Sequence, residues 1–538
     1  MIASTQAQTL PNTRPSTSKR TFHSTLVENY LQQARNKIKD DDLKRLFANS
    51  WTSTLDTTVW SHDSDELTLD HLHAKPETWI ITGDISAMWL RDSANQVDAY
   101  MPLLASSSPQ DAGWNSLYRL LLGTVYTQAR CILLHPFSNA FIPPTSNVEP
   151  SNSDFVRPKV PSVLQLSKVM PTTIKDDKKN QKIRVWESKW ELDSLASFVD
   201  LSSKLAQASN RTDLFYNQEW NRAMRLVLKI CKLQQRGTDE EVELLQTPWL
   251  GPNKDKQERQ EETIEGMDVN DDKRYQGRNG VYRFTRETRS GSETRPLSGL
   301  GEPAKRCGLI KSAFRPSDDA TVFPFLIPSN AFMAQALLKI ADQLDNGDDA
   351  TLSHELKTLA TDARELGQQV TEAVWTHGVV ETIVDGVKRK VFAYEVDGFG
   401  SYLLADDANL PSLLSLPYLR FINADDPVYI NTRQLVLSAR NKWFFKGKAA
   451  QGIGGMHVGE GFIWPMSIIT RALTSDDDEE ILECLDMLKK TTAGTGLIHE
   501  SFYKDDARNY TRSWFAWASG LFGVLIMQLL ERAPHLLM

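Results

Sequence analysis

The chain has 538 residues, 41% of them hydrophobic, and a formal net charge of −8. It is long enough for one large domain or a two- or three-domain assembly, and too apolar to be disordered. The negative balance, with no extended Lys/Arg stripe to offset it, excludes nucleic acid as a partner. Cys131, Cys231, Cys307 and Cys484 lie far apart, with no CxxC pair and no Cys/His cluster at zinc-ligand spacing. They read as free thiols in a reducing compartment, and no structural zinc is expected.

Residues 1–22 are rich in Ser, Thr, Gln and Pro and lack the continuous apolar run of a secretory signal. They are expected to form a disordered tail on a single domain spanning 23–538, with the cytoplasm as the default location. Arg14, Lys19 and Arg20, with no acid before Glu28, leave an organelle transit peptide open. Helical periodicity then covers 26–49, 113–134, 192–208, 218–235, 330–345 and 353–378. In the last of these, Leu356, Leu359, Ala363, Leu366, Val370 and Ala373 lay one stripe along a helix that Gly378 stops. Ser475 followed by Asp476, Asp477, Asp478 and Glu479 is expected to cap a helix that includes 481–490, with Lys489 and Lys490 at its far end as the dipole favours.

Residues 513–530 carry no charge over eighteen positions, close to the roughly 20 that span a bilayer. Two serines, Gln528, two glycines and three early aromatics in that stretch predict a buried helix instead, so no membrane partner is expected. Almost no segment alternates as a half-buried strand does, which makes the fold mainly α, with helices in antiparallel pairs. Two regions interrupt the pattern: 135–161, rich in Pro, Ser and Asn, and a highly charged insertion at 236–305. Both read as long loops, of the kind that edge an active site or stay merely solvated.

Five separated segments carry groups that packing explains poorly. TGDISAMWLRDSANQVDAY (82–100) sets Asp84, Trp89, Arg91 and Asp92 together, suited to gripping sugar hydroxyls and stacking on a ring, and equally to an Arg–Asp pair anchoring a loop. WESKWELDSLASF (186–198) brings Trp190, Glu191 and Asp193 to a helix start, where acids commonly cap. In SAFRPSDDATVF (312–323), adjacent Asp318 and Asp319 follow Arg315 and precede an apolar run, so burial and like-charge repulsion can raise one carboxyl into the range of a general acid. Glycine-rich loops between 392 and 465 offer Asp397, Asp406, Asp407, Asn409 and His457. Finally, TGLIHESFYKDDARNYTRSWFAW (495–517) holds His499 and Glu500 ahead of Trp514 and Trp517. It is not a zinc-protease motif, because Tyr503 stands where HExxH needs its second histidine.

Taken in order, TGDISAMWLRDS, WELDSL, FRPSDDA, DDANLPSLLSLPYL and TGLIHESF resemble glycoside hydrolase family 125, the exo-acting α-1,6-mannosidases, over about residues 26–530. The resemblance implies an (α/α)6 barrel with loop insertions, a pocket at one mouth, and inverting hydrolysis of terminal α-1,6-linked mannose without metal or other cofactor. The partner it implies is a mannose-containing oligosaccharide or glycan. It puts the general base at Glu500 and the general acid in FRPSDDA. There Asp318 is preferred to Asp319, because related helical-barrel glycosidases look similar in placing the acid first in such a pair. Substrate contacts are expected from Asp84, Trp89, Arg91, Asp92, Trp190, Asp193, Arg315, His457, His499 and Trp514. There are two departures. Met456-His457-Val458-Gly459 stands where bacterial members tend to have Pro-His-Thr-Pro, and the charged insertion looks longer than usual. The same architecture with another sugar or linkage, and a non-catalytic carbohydrate-binding protein, are the rival readings.

Overall fold

The computed structural model describes residues 9–63, 76–150, 154–160, 183–245, 275, 277–345 and 354–538. Helices run where apolar periodicity puts them: Trp114–Leu134, Leu192–Ser209, Gln218–Leu233, Ile327–Asp345 and His354–His377. Gly378 does end the last of these, its N–H returning to the Val374 carbonyl at 2.8 Å. The stretch 26–49, expected as one helix, is two, Thr25–Lys37 and Asp41–Trp51. The break falls at Asp40, whose extended backbone leaves its carboxylate free to accept the Leu43 N–H at 2.8 Å and start the second helix. Asp477, rather than Ser475, likewise caps Asp478–Lys490, accepting the Glu479 N–H at 2.9 Å. Ser475 instead binds the Glu480 carboxylate.

The expected disordered tail is already ordered by residue 9. Arg14 enters a half-buried ion pair with Asp56 at 2.7 Å and with Glu28 at 2.7 Å, while the Asn49 amide donates to the Pro11 carbonyl at 2.9 Å. Two of the three basic residues that hinted at a transit peptide, Arg14 and Arg20, thus find acids within the fold. Residues 1–8 lie outside the described residues.

Helix pairs form the framework. Leu90–Asp98 packs on Leu192–Ser209, which packs on Ile327–Asp345, which in turn packs on His354–His377. Ala516–Arg532, the uncharged stretch, packs on Asp41–Trp51, Leu90–Asp98 and Pro465–Leu473. Among the described residues no helix is long and apolar enough to cross a membrane. Six tryptophans with almost no exposed surface, at 51, 79, 114, 190, 220 and 517, sit among these helices. All four cysteines are unpaired.

Short strands, largely invisible in the sequence pattern, position the site. Three small antiparallel sheets each send one strand straight into a helix. Met88–Trp89 leads into Leu90–Asp98, Phe325–Leu326 into Ile327–Asp345, and Phe462–Ile463, past Trp464, into Pro465–Leu473. Their partner strands are Ala140–Ile142 with Arg184–Glu187, Glu395–Val396 with Tyr402–Leu403, and Phe502–Tyr503 with Asp506–Tyr510. Part of each interrupting region is therefore structural. Within the charged insertion, Arg283–Thr285 pairs with Phe155–Arg157, and the Ala320 N–H donates to the Ser292 carbonyl at 2.7 Å. Positions 246–274 and 276 of the insertion lie outside the described residues.

Candidate active site

At the strand-to-helix junctions lies a pocket with about 390 Å³ of open space, lined by Thr82, Ile85, Trp89, Arg91, Asp92, Pro316, Ser317, Asp318, Asn409, His457, Trp464, Glu500, Arg512, Phe515 and Trp517. It brings together all five segments singled out in the sequence except 186–198, which stands directly behind it. Arg91 and Asp92 lie in the first turn of Leu90–Asp98 and Asp193 in that of Leu192–Ser209, so two helix dipoles point their positive ends at a cluster of carboxylates.

Asp318 sits at the tip of a tight turn closed by a Phe314–Ala320 bridge, with the Arg315 N–H bonded to the Asp319 carbonyl at 2.7 Å. The turn forces Asp318 to a φ of 67°, a left-handed conformation that Asp tolerates better than most residues. This backbone aims Asp318 at the pocket and its neighbour away from it. The Asp318 side chain is 24% exposed and that of Asp319 1%.

Behind Asp318, Arg91 binds Glu191 at 2.7 Å, Asp92 at 3.2 Å and Asp193 at 3.4 Å, and reaches Asp318 at 3.7 Å. Asn139 donates toward Glu191 at 3.1 Å, Glu187 at 3.2 Å and Asp318 at 3.4 Å. Burial pushes the carboxyls of Asp92 and Glu191 upward and that of Asp193 up to about 6. Burial also raises Asp318, but the Lys189 and Arg91 cations beside it hold its carboxyl well below the usual range. Asp319 is raised by burial. Its Oδ1 lies 3.9 Å from His457, and its Oδ2 takes a hydrogen bond from Ser317 at 3.2 Å.

The facing wall is simpler. Glu500 precedes the strand Phe502–Tyr503 and lies 3.5 Å from Arg512, whose Nε also pairs with the half-exposed Asp84 at 3.2 Å. Gly83 makes this rim possible. At φ 128° it lies so close to the Trp514 ring that a Cβ there would fall 2.3 Å from the indole.

Of the residues expected to touch a ligand, Trp89, Arg91, Asp92, His457, Asp318 and Glu500 line the pocket. Asp84 and Trp514 stand at its edge without lining it, and four others are placed elsewhere. Trp190 is a core residue, its indole N–H held by the Lys311 carbonyl at 2.8 Å and its ring edge-on to Phe137. Asp193 is spent on Arg91, and Arg315 on Glu395 at 2.6 Å. Both ring nitrogens of His499 face backbone carbonyls, Ser513 at 2.7 Å and Thr492 at 3.1 Å, and the ring stacks on Tyr510 at 3.8 Å, which places it in the fold rather than in the pocket. Reading the sequence for carboxylates and histidines missed Arg512, Ser317, Trp464 and Phe515. Arg512 was signalled only as a cation twelve places after Glu500 in the same segment. The indole nitrogens of Trp89, Trp464 and Trp517 and the Oδ1 of Asn409 are buried in pocket-lining residues without a hydrogen-bond partner among the described residues.

A deep pocket with acidic groups on two walls, tryptophans between them and a helical framework behind is the build of a glycosidase site. Residues 40–527 match the metal-independent α-mannosidases, and the chain belongs to that family, glycoside hydrolase family 125. It is 40% identical over 535 residues to the meiotically up-regulated gene 157 protein of Schizosaccharomyces pombe, covering 98% of this chain and 90% of that one. It also resembles a solved metal-independent α-mannosidase of Streptococcus pneumoniae in complex with α-1,6-mannobiose. The TM-score is 0.73 and the identity 27%, over 95% of this chain and all of the other.

Proposed function

We propose that the protein is an inverting exo-α-mannosidase that releases terminal, non-reducing α-1,6-linked mannose from oligosaccharides or glycans. The observation that carries this is the pocket itself. Asp318 and Glu500 face it from different walls, and Trp89, Trp464 and Trp517 line it with aromatic rings suited to stacking on a pyranose. The α-1,6 linkage is supported by the mannobiose held by the pneumococcal relative. The successive helix contacts further support an (α/α)6 barrel.

In this reading Asp318 donates a proton to the glycosidic oxygen as its bond to the anomeric carbon breaks. Glu500 removes a proton from the water that attacks the opposite face. Inverting enzymes separate the two carboxyls by roughly 6.5–9.5 Å to admit that water. Arg91 and Asp92 hold sugar hydroxyls, the tryptophans flank the ring, and Arg512 keeps the Glu500 carboxylate turned into the pocket. Asp319 backs the turn that carries the acid, and His457 and Ser317 line the pocket beside it.

The test is hydrolysis of α-1,6-mannobiose followed by NMR at the anomeric protons from the first minutes. β-Mannose appearing first is the expected result. α-Mannose first would overturn inversion, and inertness toward every α-mannoside would overturn the assignment.

A further inference from the structure

The wall behind Asp318 holds more negative charge than its cations balance. Among the described residues, the carboxylates of Asp92, Asp154, Glu187, Glu191, Asp193 and Asp318 are grouped around only Arg91, Lys189 and Arg286. Buried carboxylates in excess of their cations are neutralised by bound protons. The geometry says where one proton belongs. The Asn139 amide has two hydrogens for three carboxylate oxygens, those of Glu187, Glu191 and Asp318 at 3.2, 3.1 and 3.4 Å, while one Arg91 spans Glu191 and Asp318 at 2.7 and 3.7 Å.

We infer that Glu191 is a positioning residue that shares a single proton with Asp318 and reloads this pocket-side carboxyl between turnovers. The inference rests on Asp318 being the acid. Glu191 is faced by Arg91, Lys189, Asp193 and Asp318, by the Asn139 amide at 3.1 Å, and by the Ser194 hydroxyl donating at 3.0 Å. Asp318 is faced by Lys189, Arg91, Asp92, Glu191 and His457. A side-chain hydrogen bond joins the two carboxyls; burial drives Glu191 up against the pull of Arg91, while Lys189 and Arg91 hold Asp318 down, so in the free protein the shared proton rests on the Glu191 side. In turnover it passes to Asp318 and then to the glycosidic oxygen, which keeps the electron pair of the broken C–O bond. The water oxygen bonds to the anomeric carbon as its proton goes to Glu500. Glu500 then releases that proton to solvent, and a solvent proton restores the Glu191–Asp318 pair.

Removing the Glu191 charge leaves Asp318 alone with its cations, so Asp318 should lose its proton at lower pH. In kcat/KM profiles for α-1,6-mannobiose, Glu191→Gln should move the alkaline limb down by about one pH unit or more and cost roughly 10²-fold at neutral pH. Activity on 2,4-dinitrophenyl α-mannoside, whose leaving group needs no proton, should stay within a few-fold. Glu191→Asp, which keeps the charge, should fall in between, and it carries the test if the Gln variant does not fold. An unmoved limb, or equal losses on both substrates, would overturn the sharing. Asp318→Asn separates the two levels. If it hydrolyses mannobiose like the wild type, the acid assignment fails and the sharing falls with it. If it is inactive while Glu191→Gln keeps the wild-type limb, the sharing alone fails.

Discussion

Asp318 belongs to a wall whose charges are almost all buried, where one arginine answers to four carboxylates, whereas Glu500 faces one cation, Arg512, shared with a half-exposed aspartate. The first wall is built from helix starts and a strained turn, the second from strand ends and a rim. The contrast teaches how one pocket sets its two carboxyls in unlike surroundings: burial on the crowded wall favours carboxyls that keep a proton, as at Glu191 and Asp193, while the open wall offers a lone cation and nearby solvent.

The largest effect that can break the comparison is on turnover. Asp318→Asn and Glu500→Gln should each lower kcat on α-1,6-mannobiose by about 10²- to 10⁴-fold, with melting temperatures near wild type. Loss of turnover in Asp319→Asn with Asp318→Asn active would move the acid one residue deeper. Next comes stability. Arg91→Met strands the buried carboxylates and should cost about 3–5 kcal/mol in denaturant unfolding. Arg512→Met, on the open wall, should cost less than about 1 kcal/mol. Equal costs would erase the distinction between the walls.

A smaller effect is the pH dependence of folding. The Asp193 carboxyl is raised to about 6 in the fold, above its unfolded value of about 3.9. Its contribution is therefore complete below about pH 3.9 and lost as pH rises through about 6. Wild type should lose more stability between those values than Asp193→Asn, by on the order of 3 kcal/mol at most, and parallel melting curves would refute this. Smaller than that pH effect is Trp190→Phe. It removes an indole hydrogen bond in the core and should cost about 1 kcal/mol of stability while leaving KM unchanged.

Helices were legible because an apolar stripe recurring every three or four residues, as at Leu356 to Ala373, fits the helical period and no strand. The two-residue strands were not, since Met88–Trp89 or Phe325–Leu326 is too short for alternation to register. The site was legible by motif rather than by side chain. FRPSDDA and HESF do meet at one pocket, yet Trp190, Asp193, Arg315 and His499, expected to touch substrate, are held by internal partners. Residue type cannot separate an arginine that meets solvent, such as Arg512, from one whose guanidinium is held by a buried glutamate, such as Arg315. Only the third dimension says which carboxylate each one reaches.

One amide ties the two ends of the chain together. Asn49 spends its two hydrogens on the carbonyls of Pro11 and Gly496, at 2.9 and 2.8 Å, and Gly496 lies four residues ahead of Glu500. Trimming or fusing the chain near residue 11 therefore tugs on the loop that carries the proposed base. For anyone preparing shortened versions of this protein, the N-terminus is the wrong place to economise.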